Sequence, residues 1–465
     1  MRTIGLDGLR EMQQGGDVSI DEVAEAIRAK QARGEPVVME SAVKAAIPEF
    51  FDDNKKFLHN IMGNYLIDNY GVCKINGAVH VYDGGVYKPG EEFLHGMMID
   101  LLPSISDSRR REVFRYIKAC RRTPVKELSP PHLIPFRHSI YNLNTGEFLD
   151  YSKEFVFLNR FPWDYRPDAP ECATVANMLE AIANGDRDVV NLLLETFGNC
   201  FYMLNSYRGA VMLYGPNGNN GKSTLLNMLT QMVGPENASF LSLQDTAQKF
   251  RLMEVYGKAV NIGDDISDAY FTDSSAFKKL VTGERVMAER KGQDPVSFEP
   301  FAKMFFSLNS TPPISDKSRA LFSRLLLIPL NNDFSTPGKR DVALKNRKWT
   351  QSEMEYLVRL SMNGLRRLME QGDFTRPDCV VRAMREFEVE NNPILGFLTE
   401  YENPADKPTA IVYGDFQDWC RNNGHKNIFT NAKFSREVCR QYNLTIKPKR
   451  TSYFDGVLKK CFVKQ

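Results

Sequence analysis

The chain has 465 residues, of which 42% are hydrophobic and 25% charged, with a formal net charge of +2. This length is too great for one compact core and the composition is too apolar for long disorder, so we expect a globular protein of two to four domains. Neither a run of eighteen apolar residues nor a charged-then-apolar leader is present, which argues against a membrane partner and favours the cytoplasm.

Cysteines and charges are distributed unevenly along the chain. The eight cysteines form no C-x-x-C pair, so neither a disulfide framework nor a zinc ribbon is indicated. Residues 421–465 hold eleven Lys and Arg against two Asp and Glu, a local charge of +9, which leaves −7 for the remainder. A basic C-terminal module favours nucleic acid or another polyanion as partner, although a merely solvated surface has the same composition.

Residues 1–130 are predicted to form an N-terminal domain of unknown role. A helix is expected at residues 20–32, and alternating residues at 72–87 surround turn signals typical of hairpins. A Ser-Pro-Pro break at residues 129–131 marks the boundary. The next domain, residues 131–205, begins with short strands around an Asn-Gly turn and continues with helical periodicity from residue 174 to 202.

A glycine-rich loop at residues 215–224, GPNGNNGKST, lies between an apolar strand and a helix. This context predicts a P-loop, in which backbone N–H groups and the positive end of the helix hold polyphosphate. We expect Lys222 to reach the β- and γ-phosphates of ATP or a relative, and Ser223 to hold Mg²⁺. The other predicted nucleotide-binding residues are Gly215, Gly218, Asn220, Gly221 and Thr224.

The loop departs from its consensus at one position. G-x-x-x-x-G-K-[ST] places the first glycine at 216, where this chain has Pro216. Either the loop is one residue longer or Gly218 supplies the flexibility, and both explanations stay open. A chance G-K-S-T in a turn is the alternative, which the flanking strand and helix disfavour.

Two carboxylates follow about forty residues later. The apolar run at residues 259–263 reads as a short strand that ends in Asp264 and Asp265. ATP hydrolysis needs one acid to organise magnesium and one to orient the attacking water, so both are candidate catalytic residues and Asp264 a candidate metal ligand. Adjacent acids are common in exposed turns, and the prediction depends on the P-loop upstream.

Two further polar residues border apolar strands. Asn309 ends the strand at residues 302–309, where it either serves the γ-phosphate and the lytic water or caps a turn before two prolines. Arg324 enters the next strand. Such an arginine usually snorkels or forms a salt bridge, whereas in a ring ATPase it can point to the γ-phosphate of the next subunit.

Taken in order, these motifs, with the run at residues 277–284, resemble the superfamily 3 helicases, and especially the primase-helicases of phages, satellites and poxviruses. The likeness extends upstream to residues 133–165 and downstream to residues 392–424. The resemblance implies an α/β fold, an AAA+ P-loop ATPase core with an N-terminal α+β region, a helical domain before the core and a C-terminal winged-helix-like domain. Its expected divisions are a helical or collar domain at 131–205, the helicase domain at 206–345, a helical connector at 346–390 and a basic DNA-binding domain at 391–465.

The resemblance also implies roles for particular residues. Asp264 and Asp265 correspond to the Walker B acids, Asn309 to the sensor and Arg324 to a finger that acts in trans. The DNA-gripping hairpin of the family corresponds to residues 286–292, with Lys291 at its tip and Arg290 beside it. Relatives often have Lys-His at this tip and this chain has Lys-Gly, so no histidine contributes. Surface charge on a turn is the alternative.

The predicted function is therefore an ATP- and Mg²⁺-dependent replicative DNA helicase of phage or mobile-element origin. A homo-hexameric ring on single-stranded and forked DNA is expected in the cytoplasm of a bacterial host, with a separate primase or polymerase as a candidate partner. The alternatives are a nucleotide-switched initiator or loader without unwinding, a bifunctional primase-helicase and an RNA helicase. Six and seven subunits both fit the sequence.

Overall fold

The computed structural model describes residues 47–207, 209–216, 218–263, 274–289, 295–312, 314, 319–335, 347–425 and 428–464. The helix predicted at residues 20–32 lies outside these residues. Within the described part of the chain, no helix has both the length and the apolar character that a bilayer crossing requires.

The described residues contain both helices and strands. They are α1 (His59–Asn69), α2 (Gly90–Leu101), α3 (Asp107–Ala119), α4 (Ala173–Ile182), α5 (Arg187–Asn199), α6 (Lys222–Val233), α7 (Ser275–Thr282), α8 (Arg319–Phe322), α9 (Gln351–Gln371), α10 (Asp378–Asn391), α11 (Pro393–Glu400), α12 (Thr409–Asn422) and α13 (Asn431–Tyr442). Short 3-10 turns occur at Pro235–Asn237, Asp245–Ala247, Arg251–Val255 and Ser452–Phe454.

The described strands form five separate sheets. They are β1 (Val72–Ile75), β2 (Ala78–Asp83), β3 (Val86–Pro89), β4 (Leu133–Pro135), β5 (Ile140–Asn142), β6 (Phe148–Leu149), β7 (Ala210–Tyr214), β8 (Ala238–Ser239), β9 (Val260–Gly263), β10 (Val286–Ala288), β11 (Val296–Phe298), β12 (Lys303–Leu308), β13 (Leu325–Pro329), β14 (Leu444–Arg450) and β15 (Leu458–Lys464).

The N-terminal unit is an antiparallel meander of β1, β2 and β3 covered by three helices. Its first turn has Asn76 and Gly77 at φ 50° and 77°. Two consecutive left-handed residues are typical of the hairpin turn whose twist matches that of the flanking strands. The predicted hairpin is confirmed, and β3 extends it. Val113 and Ile117 of α3 are fully buried in the core of this unit.

The segment before the P-loop strand is helical only in its second half. Its first half contains the antiparallel sheet β4, β5 and β6. The predicted helical stretch is also two helices. Asn184 and Gly185 adopt φ 53° and 77°, and the Asp186 carboxylate then accepts hydrogen bonds from the first N–H groups of α5.

A parallel sheet of five strands, in the order β13-β7-β12-β9-β8, forms the centre of the molecule. Its strands are almost entirely apolar, as expected when both faces are covered. One large core joins α4, α5, α6 and α9 to the sheet, and a second lies beneath α7 and the β10–β11 hairpin. The predicted α/β core is confirmed.

Helix α9, in the predicted connector, is packed into the central core. It crosses α5 so closely that a Cβ at Gly198 would lie 2.0 Å from the Ser361 carbonyl oxygen, and one at Gly364 would lie 2.5 Å from that of Leu194. Nearby, the fully buried carboxylate of Glu195 accepts a hydrogen bond from Arg367 Nε at 2.6 Å. The connector therefore contributes the buried face of an amphipathic helix to the core.

The C-terminal unit consists of α11, α12 and α13 followed by the antiparallel hairpin β14–β15. Four phenylalanines fill its core, namely Phe397, Phe416, Phe434 and Phe462. The hairpin pairs Pro448 with Lys460 and Lys449 with Lys459, and these lysines are exposed. Six of the eleven basic residues at 421–465 therefore lie on this hairpin.

Candidate nucleotide site and its relatives

The glycine-rich loop connects β7, which lies between β13 and β12, to the start of α6. Gly215 is required by space, because a Cβ there would lie 1.8 Å from Asn220 Nδ2 and 3.0 Å from the Leu330 carbonyl oxygen. Gly221 is required by conformation as well, since it adopts φ 91°. The loop is therefore held in one shape by its own glycines and by the neighbouring strand.

The left-handed residues of the loop lie after Pro216 in the chain. Asn219 and Gly221 adopt left-handed φ values of 60° and 91°, whereas Gly218 does not have a positive φ. Asn219 further accepts a hydrogen bond from the backbone N–H of Phe334 at 2.8 Å.

Lys222 links the glycine-rich loop to the end of β12, the strand beside β7. Its ammonium donates to the Gly215 carbonyl oxygen at 2.7 Å and to Asn309 Oδ1 at 3.0 Å. Lys222 is only 8% exposed, whereas Asn309, at the end of β12, is exposed. The structure therefore brings together two predicted site residues that are 87 positions apart.

The remaining loop residues surround the start of α6. Ser223 and Thr224 are half-buried in its first turn, and Asn220 is buried beneath the loop. The first N–H groups of a helix have no partner within the helix and carry its positive dipole end, so they favour an anion. The site thus offers backbone donors, one ammonium and a hydroxyl within a few residues.

Strand β9 ends at Gly263, next to β12 in the parallel sheet. The predicted acids Asp264 and Asp265 follow it directly in sequence and lie outside the described residues. Lys291 and Arg290, predicted for DNA contact, also lie outside them. The strands on either side of that second segment are described, and Val286–Ala288 pairs antiparallel with Val296–Phe298.

Arg324 lies at the amino ends of the parallel strands, whereas the P-loop lies at their carboxyl ends. Its carbonyl oxygen accepts a hydrogen bond from Ala210 N–H at 2.7 Å, and β13 then runs parallel to β7 from Leu325 beside Ala210. The guanidinium donates to the Ala320 carbonyl oxygen, while its buried Nε has no hydrogen-bond partner in the described part of the chain. The structure therefore does not bring Arg324 to the P-loop of its own chain.

Lys303 is a buried charge that the sequence analysis did not single out. At the start of β12, its Nζ lies within 3.0 Å of four oxygens, those of Tyr202, Leu204, Phe301 and the Asn205 side chain. Burial lowers the pKa of Lys303 to about 7. The sequence signal for this buried group is a lysine at the start of an otherwise apolar strand. The hydrogen bonds of Lys303 tie residues 202–205, which precede β7, to the sheet.

Two family models match this chain. One, a family of unknown function (DUF5906), covers residues 213–324, from the P-loop strand to Arg324, and the other, described as D5 N terminal like, covers residues 20–183. Putative helicase 121R of Invertebrate iridescent virus 3 is 23% identical over 358 residues. Putative helicase V13 of Sputnik virophage is 25% identical over 206 residues. By these matches, the chain resembles the phage and viral primase-helicases.

The matches to these viral helicases are partial. They cover 68% and 41% of this chain, and 38% of 121R and 26% of V13. The chain therefore spans well under half the length of the curated relatives that it matches.

Among solved structures, the A form apo structure of the NrS-1 C terminal region aligns with a TM-score of 0.46 at 14% identity, covering 85% of this chain and 96% of that one. The apo structure of NrS-1 residues 305–718 aligns with a TM-score of 0.44 at 14% identity, covering 83% and 94%.

Proposed function

We propose that this chain is an ATP-dependent DNA helicase that works as a ring, with nucleotide bound between neighbouring copies and single-stranded DNA in the central channel. The observation that carries the proposal is the contact of Lys222 with Asn309 at 3.0 Å. It places a P-loop lysine and a polar side chain from the adjacent strand at one edge of a parallel sheet, where α/β proteins bind their ligands.

The strand order supports an AAA+ core. Counted from the P-loop strand, the order β13-β7-β12-β9-β8 is fifth, first, fourth, third, second. This order puts the P-loop strand next to the strand that ends in Asn309, with β9 and its following acids one strand further. We assign Asn309 as the sensor and Asp264 and Asp265 as the Walker B pair on this basis.

We take the glycine-rich loop as the binding site of a nucleoside triphosphate. A Cβ at Gly215 would meet Asn220 and Leu330, and the Lys222 ammonium already donates to the Gly215 carbonyl oxygen. Bound Mg²⁺ would neutralise charge on the transferred phosphoryl group, with Ser223 and Asp264 as its proposed protein ligands. Lys222 would exchange the Asn309 oxygen for phosphate oxygens, and this exchange would release the Asn309 amide to position water.

Arg324 is proposed as the finger that completes the site of the neighbouring copy. Its distance from its own P-loop supports a role outside its own subunit. Trans-acting arginines stabilise the transition-state charge of phosphoryl transfer. A complete site would then exist only at an interface between copies, which is why a ring is proposed.

DNA contact is assigned to two regions. The tip of the β10–β11 hairpin, with Arg290 and Lys291, would hold backbone phosphates in the channel without reading sequence. The C-terminal unit, three helices and a basic hairpin, is proposed as a winged-helix-like module for duplex DNA, with Lys449, Lys459 and Lys460 on its wing.

Strand separation on a forked DNA substrate tests the function. The wild-type protein should separate the strands with ATP, Lys222→Ala should not, and the exposed Lys348→Ala should match wild type. Lys291→Ala should keep ring assembly and lose DNA-stimulated ATP turnover. ATP turnover without strand separation would contradict the proposal and indicate an initiator or loader, and synthesis of ribonucleotide primers would indicate a bifunctional enzyme.

A further inference from the structure

A cleft of about 630 Å³ separates the N-terminal unit from the second strand of the β10–β11 hairpin. One wall consists of the β1–β2 turn, β2, the start of α2 and one face of α3. The other wall consists of Met253 and Tyr256 with Pro295 and Val296, where β11 begins. The cleft therefore opens beside the segment that returns from the tip of the hairpin.

Helix α3 presents a row of cations to this cleft. Arg111, Arg115 and Lys118, at positions i, i+4 and i+7, line it, while Val113 and Ile117 on the other face are buried. At about 1.5 Å rise per residue, the three charges extend over ~10 Å. A row of this length complements a linear polyanion better than a single phosphate group.

The individual contacts show which of these charges has no counter-charge. Arg111 is paired with Asp107 at 2.8 Å, but both side chains are more than half exposed, so the pair is weak. Arg115 is exposed and makes no ion pair with any residue that the structure describes. One acidic residue, Glu91, also lines the cleft. The cleft lining thus holds three cationic residues and one carboxylate.

Aromatic side chains complete the lining. Phe114 lies between the cations on α3, and Tyr256 belongs to the other wall, both half-buried. Tyr256 is held in place by its hydroxyl contact with His80 Nε2 at 3.3 Å and by an edge contact with Phe298. Cations beside aromatic rings in a narrow groove are the usual features of sequence-independent single-strand binding.

We propose that this cleft binds single-stranded DNA, with Arg111 and Arg115 on backbone phosphates and the rings of Phe114 and Tyr256 against bases. The N-terminal unit then has a binding role of its own, as a second contact for a strand that passes the hairpin. This site goes beyond the proposed motor because it requires neither nucleotide nor ATP turnover.

The test measures binding of fluorescein-labelled oligothymidylate to the full chain without nucleotide, by anisotropy from about 50 to 300 mM salt. Arg111→Ala/Arg115→Ala should weaken binding by ~10-fold and lower the slope of log affinity against log salt by about 1.4, for two lost phosphate contacts. The matched control, Arg121→Ala/Arg382→Ala, removes two exposed cations outside the cleft and should equal wild type.

Two further measurements distinguish a loss of DNA binding from a loss of structure, and single-stranded from duplex DNA. Arg111→Lys/Arg115→Lys keeps both charges and should retain most of the affinity, since phosphate is held largely by charge. ATP turnover without DNA should be unchanged in every cleft variant, so a failed motor and a failed cleft give different results. The proposal is overturned if the alanine pair binds oligothymidylate like its control, or if only duplex binding falls.

Discussion

Replacement of Arg324 by alanine tests whether the site is shared between copies. Along β7, five residues separate Ala210, which pairs with the backbone of Arg324, from Gly215 at the P-loop. At about 3.3 Å per residue the separation is ~16 Å, which is more than an arginine side chain spans. Arg324→Ala should therefore leave nucleotide binding unchanged and lower ATP hydrolysis by ~10³, as loss of a trans-acting finger does.

A mixing experiment makes this prediction quantitative. Lys222→Ala loses the P-loop lysine but keeps Arg324, so each single variant lacks a different half of the site. In an equal mixture with random assembly, half of the P-loops are intact and half of the neighbours supply the arginine. About one quarter of head-to-tail interfaces are then complete, and the mixture should recover about one quarter of wild-type ATP turnover.

Phosphate release in the presence of DNA is the assay, with co-assembly of the two variants checked by native mass spectrometry. The control is a mixture of Arg324→Ala with the double variant Lys222→Ala/Arg324→Ala, which has no complete interface and should stay inactive. Mixed assemblies of the two single variants that form normally and remain inactive would refute the shared site.

Three other predictions concern residues that the structure places in close contact. Gly215→Ala should weaken binding of a fluorescent ATP analogue by ~10-fold or more because its Cβ would meet Asn220, whereas Gly218→Ala, with nothing within 4 Å, should bind normally; equal affinities would contradict this. Arg367→Ala should lower the free energy of unfolding by about 3–5 kcal/mol, because it leaves the buried Glu195 carboxylate without its cation; urea denaturation measures this, with the exposed Glu370→Ala as control. Burial lowers the pKa of Lys303 from 10.5 to about 7, so between these pH values the unfolded chain binds more protons and stability should rise with pH. Lys303→Met should flatten that rise between about pH 7 and 9, and parallel pH profiles would count against the assignment.

Much of the local structure could be predicted from the sequence. The Asn76-Gly77 turn, the apolar strand at Ala210–Tyr214 and the helix after the glycine-rich loop are all present. The break between α4 and α5 was missed although Asn184, Gly185 and Asp186 carry its signals, because apolar periodicity continues on both sides. The cations of α3 were also missed, since a charged helix face usually only contacts solvent.

Sequence alone was enough to predict the Asn76-Gly77 turn, the strand at Ala210–Tyr214 and the helix after it, and to mark the loop at residues 215–224 for phosphate. These properties depend on backbone preferences and on side chains a few positions apart. The strand order is a property of the tertiary structure. It brings Asn309 to Lys222 and leaves Arg324 at the amino ends of the strands, away from the P-loop. The tertiary structure also placed the α3 cations opposite Tyr256. The pairing of distant strands depends on how their buried faces pack together, which no local pattern specifies.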